Sequence, residues 1–188
     1  MQEQEAFVPG TRVVFADDFK GEAEGKTPAH WKIVGGHAEI GSAGGRSGLA
    51  LVESRSARVA PALAPPYLPD AFTLEFDLYA STGSFGGVIL YLTSGDDERQ
   101  IAIGAEVLTN GMEHELGGRY PGSPAAYLDK WHHVAVSVEN NQLKCWEDAH
   151  RILVAPDLAG FKPRTLSFGA IANPDAPVII RAVRIAAR

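Results

Sequence analysis

Residues 131–153 of this 188-residue chain constrain its fold more than any other stretch. Three valines between 134 and 138 alternate with small or polar residues, which is the period-two pattern of a strand with one buried face. The pair Asn140-Asn141 interrupts this pattern, and asparagine tolerates the left-handed backbone of a tight turn. A second alternating segment around Cys145, a turn at Asp148-Ala149 and a third segment follow. The stretch predicts a three-strand antiparallel meander whose apolar face packs on a second layer.

The clearest alternation in the chain lies at 71–80. Four apolar residues share one parity and four largely polar residues share the other: Phe72, Leu74, Phe76 and Leu78 against Thr73, Glu75, Asp77 and Tyr79. No segment reads as a helix of three turns, and 20 glycines and 12 prolines separate the short strands. This pattern predicts a sandwich or a barrel. We expect a single all-β domain over 11–188, preceded by a lead-in segment over 1–10.

Two glycine-containing pairs predict hairpin turns. Gly35-Gly36 separates two short strand-like segments, and Asn110-Gly111 is a strong signal for a tight turn between strands. The segment 88–93 is apolar at both parities, which is typical of a strand in the centre of a sheet.

Charge and hydropathy exclude some classes of partner. The formal net charge is -6, the pI is about 5.5, and no run of consecutive Lys and Arg is longer than two residues. These features argue against a nucleic-acid binder, because phosphate contacts need clustered cations. No apolar run approaches the roughly 18 residues of a membrane span. The first ten residues lack the apolar core of a signal peptide, which favours a cytoplasmic protein or one whose leader has been removed.

Cys145 is the only cysteine, so neither an intrachain disulfide nor a cysteine-based zinc site can form. It lies in phase with Leu143, and we expect it to be a small buried core residue rather than a reactive thiol.

The motif Trp131-His132-His133-Val134, followed by LKCWEDAHRI, resembles the concanavalin A-like and laminin G-like jelly-roll domains. In that family a W-H-x-V motif opens a strand, and the next strand ends in a turn written aromatic-x-D-G. Here Trp146-Glu147-Asp148-Ala149 stands at that turn, with Ala149 in place of the glycine. The resemblance implies a two-sheet antiparallel jelly-roll sandwich. It does not select a function, because the fold carries lectins, hydrolases and adhesion modules.

A narrower resemblance concerns the segments FVPGTRVVFADDF and GKTPAHWKIVGGHAEI and the closing RAVRIA. They are similar to the lectin-like region that precedes an OmpA-like peptidoglycan-binding domain in some bacterial envelope proteins. This resemblance implies a periplasmic or cell-envelope location and another envelope protein as a partner. A cytoplasmic location is the alternative.

Seven side chains predict a ligand-binding face. The aromatic ones and the histidine lie out of phase with the core-facing residues of their strands. If those strands share a sheet, the rings can stack on sugars while the charged groups bond hydroxyls. The alternative is that the other sheet or a loop covers this face and the rings belong to the core. The set is Trp146, Tyr91, Tyr79, Glu75, Asp77, Lys144 and His133.

The same strand argues against hydrolysis. Glu75 and Asp77 point to one face, and retaining glucanases of this fold use an E-x-D-x-E strand whose two glutamates lie about 5 Å apart. Tyr79 occupies the third position, so one member of the catalytic pair is missing. The alternative for the remaining carboxylates is a solvated polar face.

Asp96 and Asp97 lie in a predicted turn, where carboxylate oxygens suit calcium. The alternative is a solvated turn, because adjacent acids cannot all face one ion.

Taken together, these features predict a non-catalytic binding module of the bacterial cell envelope that recognises carbohydrate. The alternative is a structural or protein-interaction domain without a glycan ligand, and a glycoside hydrolase is the third and least favoured reading.

Overall fold

The computed structural model describes residues 5–52, 57–84, 86–104, 108–110, 115–116, 124–171 and 175–188. These residues form fifteen strands and one single-turn helix, α1, at Pro124–Tyr127. The strands are β1 Arg12–Asp17, β2 Trp31–Gly35, β3 Ala38–Ala43, β4 Arg46–Leu51, β5 Arg58–Pro61, β6 Phe72–Ala80, β7 Gly87–Ser94, β8 Asp97–Gly104, β9 Leu108–Asn110, β10 Glu115–Leu116, β11 Trp131–Glu139, β12 Gln142–Glu147, β13 His150–Ala155, β14 Thr165–Ile171 and β15 Val178–Ala187. Within these ranges no helix has the length and apolar character needed to cross a bilayer.

The described strands form two antiparallel sheets. The nine-stranded sheet has the order β10-β13-β12-β11-β6-β15-β4-β3, and β1 pairs with the part of β15 that β4 leaves open. The six-stranded sheet has the order β2-β5-β14-β7-β8-β9. Strands that follow one another in sequence often lie in opposite sheets, as β6 and β7 do. The predicted all-β jelly-roll sandwich is confirmed.

The meander of β11, β12 and β13 is as the sequence predicts. β12 pairs with β11 on one side and with β13 on the other. Both turn pairs have positive φ: 51° and 62° at Asn140 and Asn141, and 45° and 67° at Asp148 and Ala149. Two successive residues with positive φ are typical of the type I′ turn, whose twist matches that of the flanking strands.

The core lies between the sheets and is centred on β6. Its four in-phase residues, Phe72, Leu74, Phe76 and Leu78, are all 0% exposed. The ring of Phe76 meets that of Phe168 from the six-stranded sheet edge-on, with 5.1 Å between centroids.

Cys145 is also fully buried, as predicted, and burial raises the pKa of its thiol well above the usual value. β7 lies between β14 and β8, which confirms the central position predicted for 88–93.

The hairpin predicted at Gly35-Gly36 is wrong, and the one predicted at Asn110-Gly111 falls partly on residues 111–114, outside the described residues. Gly36 does turn the chain, with a φ of 62°, but β2 pairs with β5 in one sheet and β3 pairs with β4 in the other. Gly111 lies outside the described residues, and the strands around it, β9 and β10, pair with β8 and β13 in different sheets. Turn residues predict where the backbone bends sharply. They do not predict which strands pair, because pairing depends on contacts between residues far apart in sequence.

Part of the lead-in segment, residues 5–10, packs on the outer face of the nine-stranded sheet. The Gly10 amide donates to Thr73 Oγ1 at 2.8 Å, and Arg184 Nη2 donates to the Gly10 carbonyl at 3.0 Å. Arg188 Nη1 donates to the Val8 carbonyl at 3.2 Å. The segment is therefore attached to β6 and to the end of β15.

Ala149 offers a test of the turn. A non-glycine residue in the left-handed region costs on the order of 1 kcal/mol. We expect Ala149→Gly to raise the free energy of unfolding by about 0.5–1 kcal/mol, measured by urea denaturation. Ala29 is exposed and outside the left-handed region, so Ala29→Gly should leave stability unchanged or lower it. A loss of stability in both variants would contradict the turn assignment.

Candidate functional site

Six of the seven predicted ligand-binding residues lie in the nine-stranded sheet. Glu75, Asp77 and Tyr79 are on β6, His133 is on β11, and Lys144 and Trp146 are on β12. These three strands are neighbours, so the sheet brings the six residues together.

Charged side chains form a paired row across β11, β6 and β15. His133 Nδ1 lies 3.1 Å from Asp77 Oδ1, and its Nε2 lies 3.3 Å from Glu75 Oε1. Arg181 Nη1 donates to Asp77 Oδ2 at 2.8 Å, and Arg184 Nη1 lies 3.5 Å from Glu75 Oε2. The hydrogen bond to Asp77 is the largest cause that raises the pKa of His133. Each carboxylate thus lies between one arginine and the histidine.

The two arginines reach one face because β15 is irregular. They are three residues apart, so in a regular strand they would point to opposite faces. The register shifts between Arg181 and Arg184, and Ala182 has a φ of 48°. Such a bulge resets the parity of a strand. Arg181 therefore lies opposite Asp77, and Arg184 lies opposite Glu75. Sequence reasoning missed both arginines because no residue in VIIRAVRIA signals the bulge.

Trp131 joins this face next to Tyr79. The two residues are directly opposite in the pairing of β11 with β6, and their ring centroids are 5.3 Å apart. The indole Nε1 of Trp131 donates to the Ala43 carbonyl at 3.1 Å, which places the β3–β4 turn against the ring. Both rings are half-buried. Trp131 was absent from the predicted set, although its shared parity with His133 could have identified it.

Trp146 and Lys144 are contacted by the lead-in segment. Trp146 is 4% exposed; its ring centroid lies 5.4 Å from that of Phe7, and its Nε1 donates to the Glu5 carbonyl at 3.0 Å. Lys144 Nζ lies 2.6 Å from Glu5 Oε2. Trp146 is thus covered from outside the sandwich rather than packed between the sheets. At the other end of the face Trp131 is half-buried and His133 is exposed, and neither forms a hydrogen bond or ion pair with residues 5–10.

Tyr91 does not share this face, and that part of the prediction is wrong. It lies on β7 in the six-stranded sheet. The guanidinium of Arg58 lies 4.0 Å from the centre of its ring, and a Cβ on Gly169 would come within 2.8 Å of its Cε2. The ring is therefore packed between an arginine and a glycine backbone. The prediction failed because β6 and β7 follow each other in sequence but lie in different sheets.

His132 of the W-H-H-V motif belongs to a buried polar cluster. Its other members are Tyr127 of α1 and, at the end of β12, Glu147 and Asp148. His132, 3% exposed, has Nδ1 at 2.6 Å from Asp148 Oδ2 and Nε2 at 2.7 Å from the Tyr127 carbonyl. Its ring stacks on Tyr127 at 4.0 Å. Glu147 is fully buried, and its Oε1 accepts a hydrogen bond from Tyr127 at 3.4 Å. This cluster ties α1 to β11 and to the β12–β13 turn.

Glu147 gives the cluster a pH dependence. Burial, with the charge of Asp148 as a second cause, raises the pKa of Glu147 to about 8 from a usual value of 4.5. Its Oε2 has no hydrogen-bond partner in the described part of the chain. Between pH 4.5 and pH 8 the unfolded carboxyl is ionised while the folded one keeps its proton. The folded state therefore loses stability as the pH rises through this window.

We expect Glu147→Gln to be nearly neutral at pH 4 and to stabilise the protein by several kcal/mol at pH 8, since each pK unit is worth about 1.4 kcal/mol. Urea unfolding of both proteins at several pH values measures the difference. A difference that does not change with pH would show that the buried carboxyl does not titrate as described.

The predicted calcium residues do not form a metal site by themselves. Asp97 pairs with Arg99, with 3.2 Å between Oδ2 and Nη2, and Asp96 is an exposed turn residue. In the described ranges no three His, Cys, Asp or Glu side chains are grouped so that they could hold an ion. Two adjacent aspartates, one of them paired with arginine, do not fit the six to eight oxygen ligands of calcium.

Comparison with known proteins places the fold. No family model matches the chain, and no curated protein matches it in sequence. Solved structures do match: a sialidase has a TM-score of 0.65 at 14% identity, over 95% of this chain and 19% of the sialidase. The metal-free carbohydrate recognition domain of Emp46p gives 0.61 at 11% identity, over 95% and 98%. The carbohydrate-binding module CBM66 from Bacillus subtilis gives 0.56 at 15% identity, over 84% and 96%.

These similarities define the class of the fold, a concanavalin A-like jelly roll. The chain spans about a fifth of the sialidase and nearly the full length of the other two. The Emp46p domain is also known in a potassium-bound form, with a TM-score of 0.61 at 12% identity over 92% of this chain and 96% of that domain. At these identities the likeness concerns the fold.

Proposed function

We propose that this domain is a non-catalytic carbohydrate-binding module. The observation that carries the proposal is the end of the nine-stranded sheet where Trp131 and Tyr79 lie beside Asp77, His133 and Arg181. Carbohydrate recognition domains and carbohydrate-binding modules among the structures of the same fold support it. We call these five residues the Trp131 surface.

The chemistry of the Trp131 surface suits a sugar. Half-buried rings present an apolar surface to the C–H face of a pyranose. Asp77 accepts hydrogen bonds from hydroxyl groups, while Arg181 and His133 donate them. The polar groups are already held by one another, with Asp77 bonded to both His133 and Arg181. A ligand therefore meets a face whose side chains need little reordering, which lowers the entropic cost of binding.

A protein-interaction role is the second candidate, and one observation favours it. Glu5 pairs with Lys144 and the Phe7 ring contacts Trp146. This half of the face therefore accepts an extended peptide with a carboxylate and an aromatic ring. A peptide of a partner protein with the same features would meet the same groups.

We expect Trp131→Ala to lower the affinity for the best ligand on a glycan array by about tenfold, because loss of a stacking ring removes about 1.4 kcal/mol. Titration calorimetry with that glycan measures the change. The matched control is Trp146→Phe, which alters a ring covered by the lead-in segment and should leave affinity unchanged. Equal losses in both variants, or no glycan bound by the wild type, would refute the proposal.

We expect no turnover of β-glucans. Glu75 and Asp77 are both paired with arginine, and Tyr79 stands where the second glutamate of a retaining pair is required. A panel of β-glucans incubated with the wild type and with Glu75→Gln tests this. Reducing sugar released by the wild type and abolished in the variant would make the domain a hydrolase.

The proposed location is the bacterial cell envelope or periplasm, on the resemblance of 7–19 and 25–40 to the lectin-like regions of envelope proteins. Fractionation of the source bacterium, followed by detection of the native protein, tests it. Recovery in the cytoplasmic fraction alone would favour the alternative location.

A further inference from the structure

A cavity of about 330 Å³ lies at the end of the sandwich where β11 turns into β12. Three apolar residues contribute to its wall: Val138, Leu158 and Phe161. Three polar side chains from separate segments also line it: Asp70 before β6, Asn140 in the β11–β12 turn and Lys162 before β14. None of these residues belongs to the Trp131 surface.

The cavity wall is held in place by Asn141. Its side-chain Oδ1 accepts a hydrogen bond from the Gly160 amide at 3.1 Å, and its Nδ2 donates to Asp157 Oδ1. Its carbonyl accepts from the Leu158 amide at 2.8 Å. The side-chain amide and the main-chain carbonyl of Asn141 thus both bond to the segment 157–160 and hold it against the β11–β12 turn. This arrangement preorganises the cavity in the absence of a ligand.

The neighbouring asparagine is used differently. Asn140 is exposed, and its side-chain amide makes no hydrogen bond to any residue in the described ranges. Arg164 donates to Asp70 Oδ1 at 2.9 Å, and together with Lys162 it holds the pKa of Asp70 below its usual range. Among the described residues, Arg164 bonds only the Oδ1 oxygen of Asp70, and neither Asp70 Oδ2 nor the Lys162 ammonium forms a hydrogen bond. The cavity therefore combines an apolar wall with a free amide, an ionised carboxylate and an ammonium.

We propose that this cavity is a second carbohydrate subsite, which takes one pyranose ring. The C–H face of the ring packs on the apolar wall, its hydroxyls donate to Asp70, and they accept from Asn140 and Lys162. The volume lies at the lower end of the range for small-molecule pockets, about 300–1,000 Å³, which suits a single ring rather than a chain. The inference rests on the proposed carbohydrate function, but it uses residues outside the Trp131 surface.

The test is an NMR titration of ¹⁵N-labelled protein with glucose, galactose, mannose and N-acetylglucosamine, each added separately. We expect at least one sugar to shift the backbone amides of Asn140, Asn141 and Gly160. The indole N–H of Trp131 reports on the other surface in the same spectra. Binding curves from the two groups of signals give two dissociation constants.

Two variants test whether the sugar binds in the cavity. Asn140→Gly keeps the positive φ of the turn and removes the amide, and Lys162→Met removes the ammonium while keeping a long side chain. We expect each to weaken the cavity dissociation constant by at least fivefold and to leave the shift of the Trp131 indole unchanged. Val34→Ala, an exposed change in the six-stranded sheet, is the matched control and should alter neither.

The outcomes separate the two proposals. Shifts confined to the Trp131 indole would overturn the cavity subsite and leave the proposed function standing. Cavity shifts with unchanged affinity in both variants would overturn the assignment of Asn140 and Lys162. No shift at either place, with no glycan bound on the array, would refute both proposals. Cavity shifts lost in the variants support the subsite.

Discussion

The pairing of β6 with β11 on one side and β15 on the other is the constraint on which the rest of the structure depends. One parity of β6 supplies four fully buried apolar side chains to the core. Because strand side chains alternate, the other parity must point away from the core. Glu75, Asp77 and Tyr79 are therefore placed on the outer face by the same packing that stabilises the sandwich. The pairing register of β6 with β11 and β15 therefore places both the core side chains and those of the proposed binding face.

The W-H-H-V motif extends this division to β11. Trp131 and His133 point outward and meet Tyr79 and Asp77, whereas His132 points inward and meets Tyr127 and Asp148. The buried cluster around His132 connects α1 to the turn after β12. The protein thus uses adjacent residues of one strand for a structural and for a proposed binding role.

Two additional elements shape the outer face. The lead-in segment covers Trp146 with Phe7, and the bulge at Ala182 brings Arg181 and Arg184 to the same side. The arginines pair with the two carboxylates of β6, so the face carries paired rather than isolated charges. The face is therefore divided into a half that the lead-in segment covers, at Lys144 and Trp146, and a half with the proposed sugar-binding residues around Trp131.

The amino-acid sequence by itself determined the strands, the meander with its two tight turns, the buried Cys145 and the parity of Glu75, Asp77 and His133. These are local properties, because alternation and turn residues act within a few positions along the chain. Only the tertiary structure decided that Gly35-Gly36 joins two sheets, that Tyr91 lies away from Tyr79, that Phe7 covers Trp146 and that a bulge aligns two arginines. Those features depend on contacts between residues far apart in sequence, and no short-range pattern encodes which distant strand or segment a residue will meet.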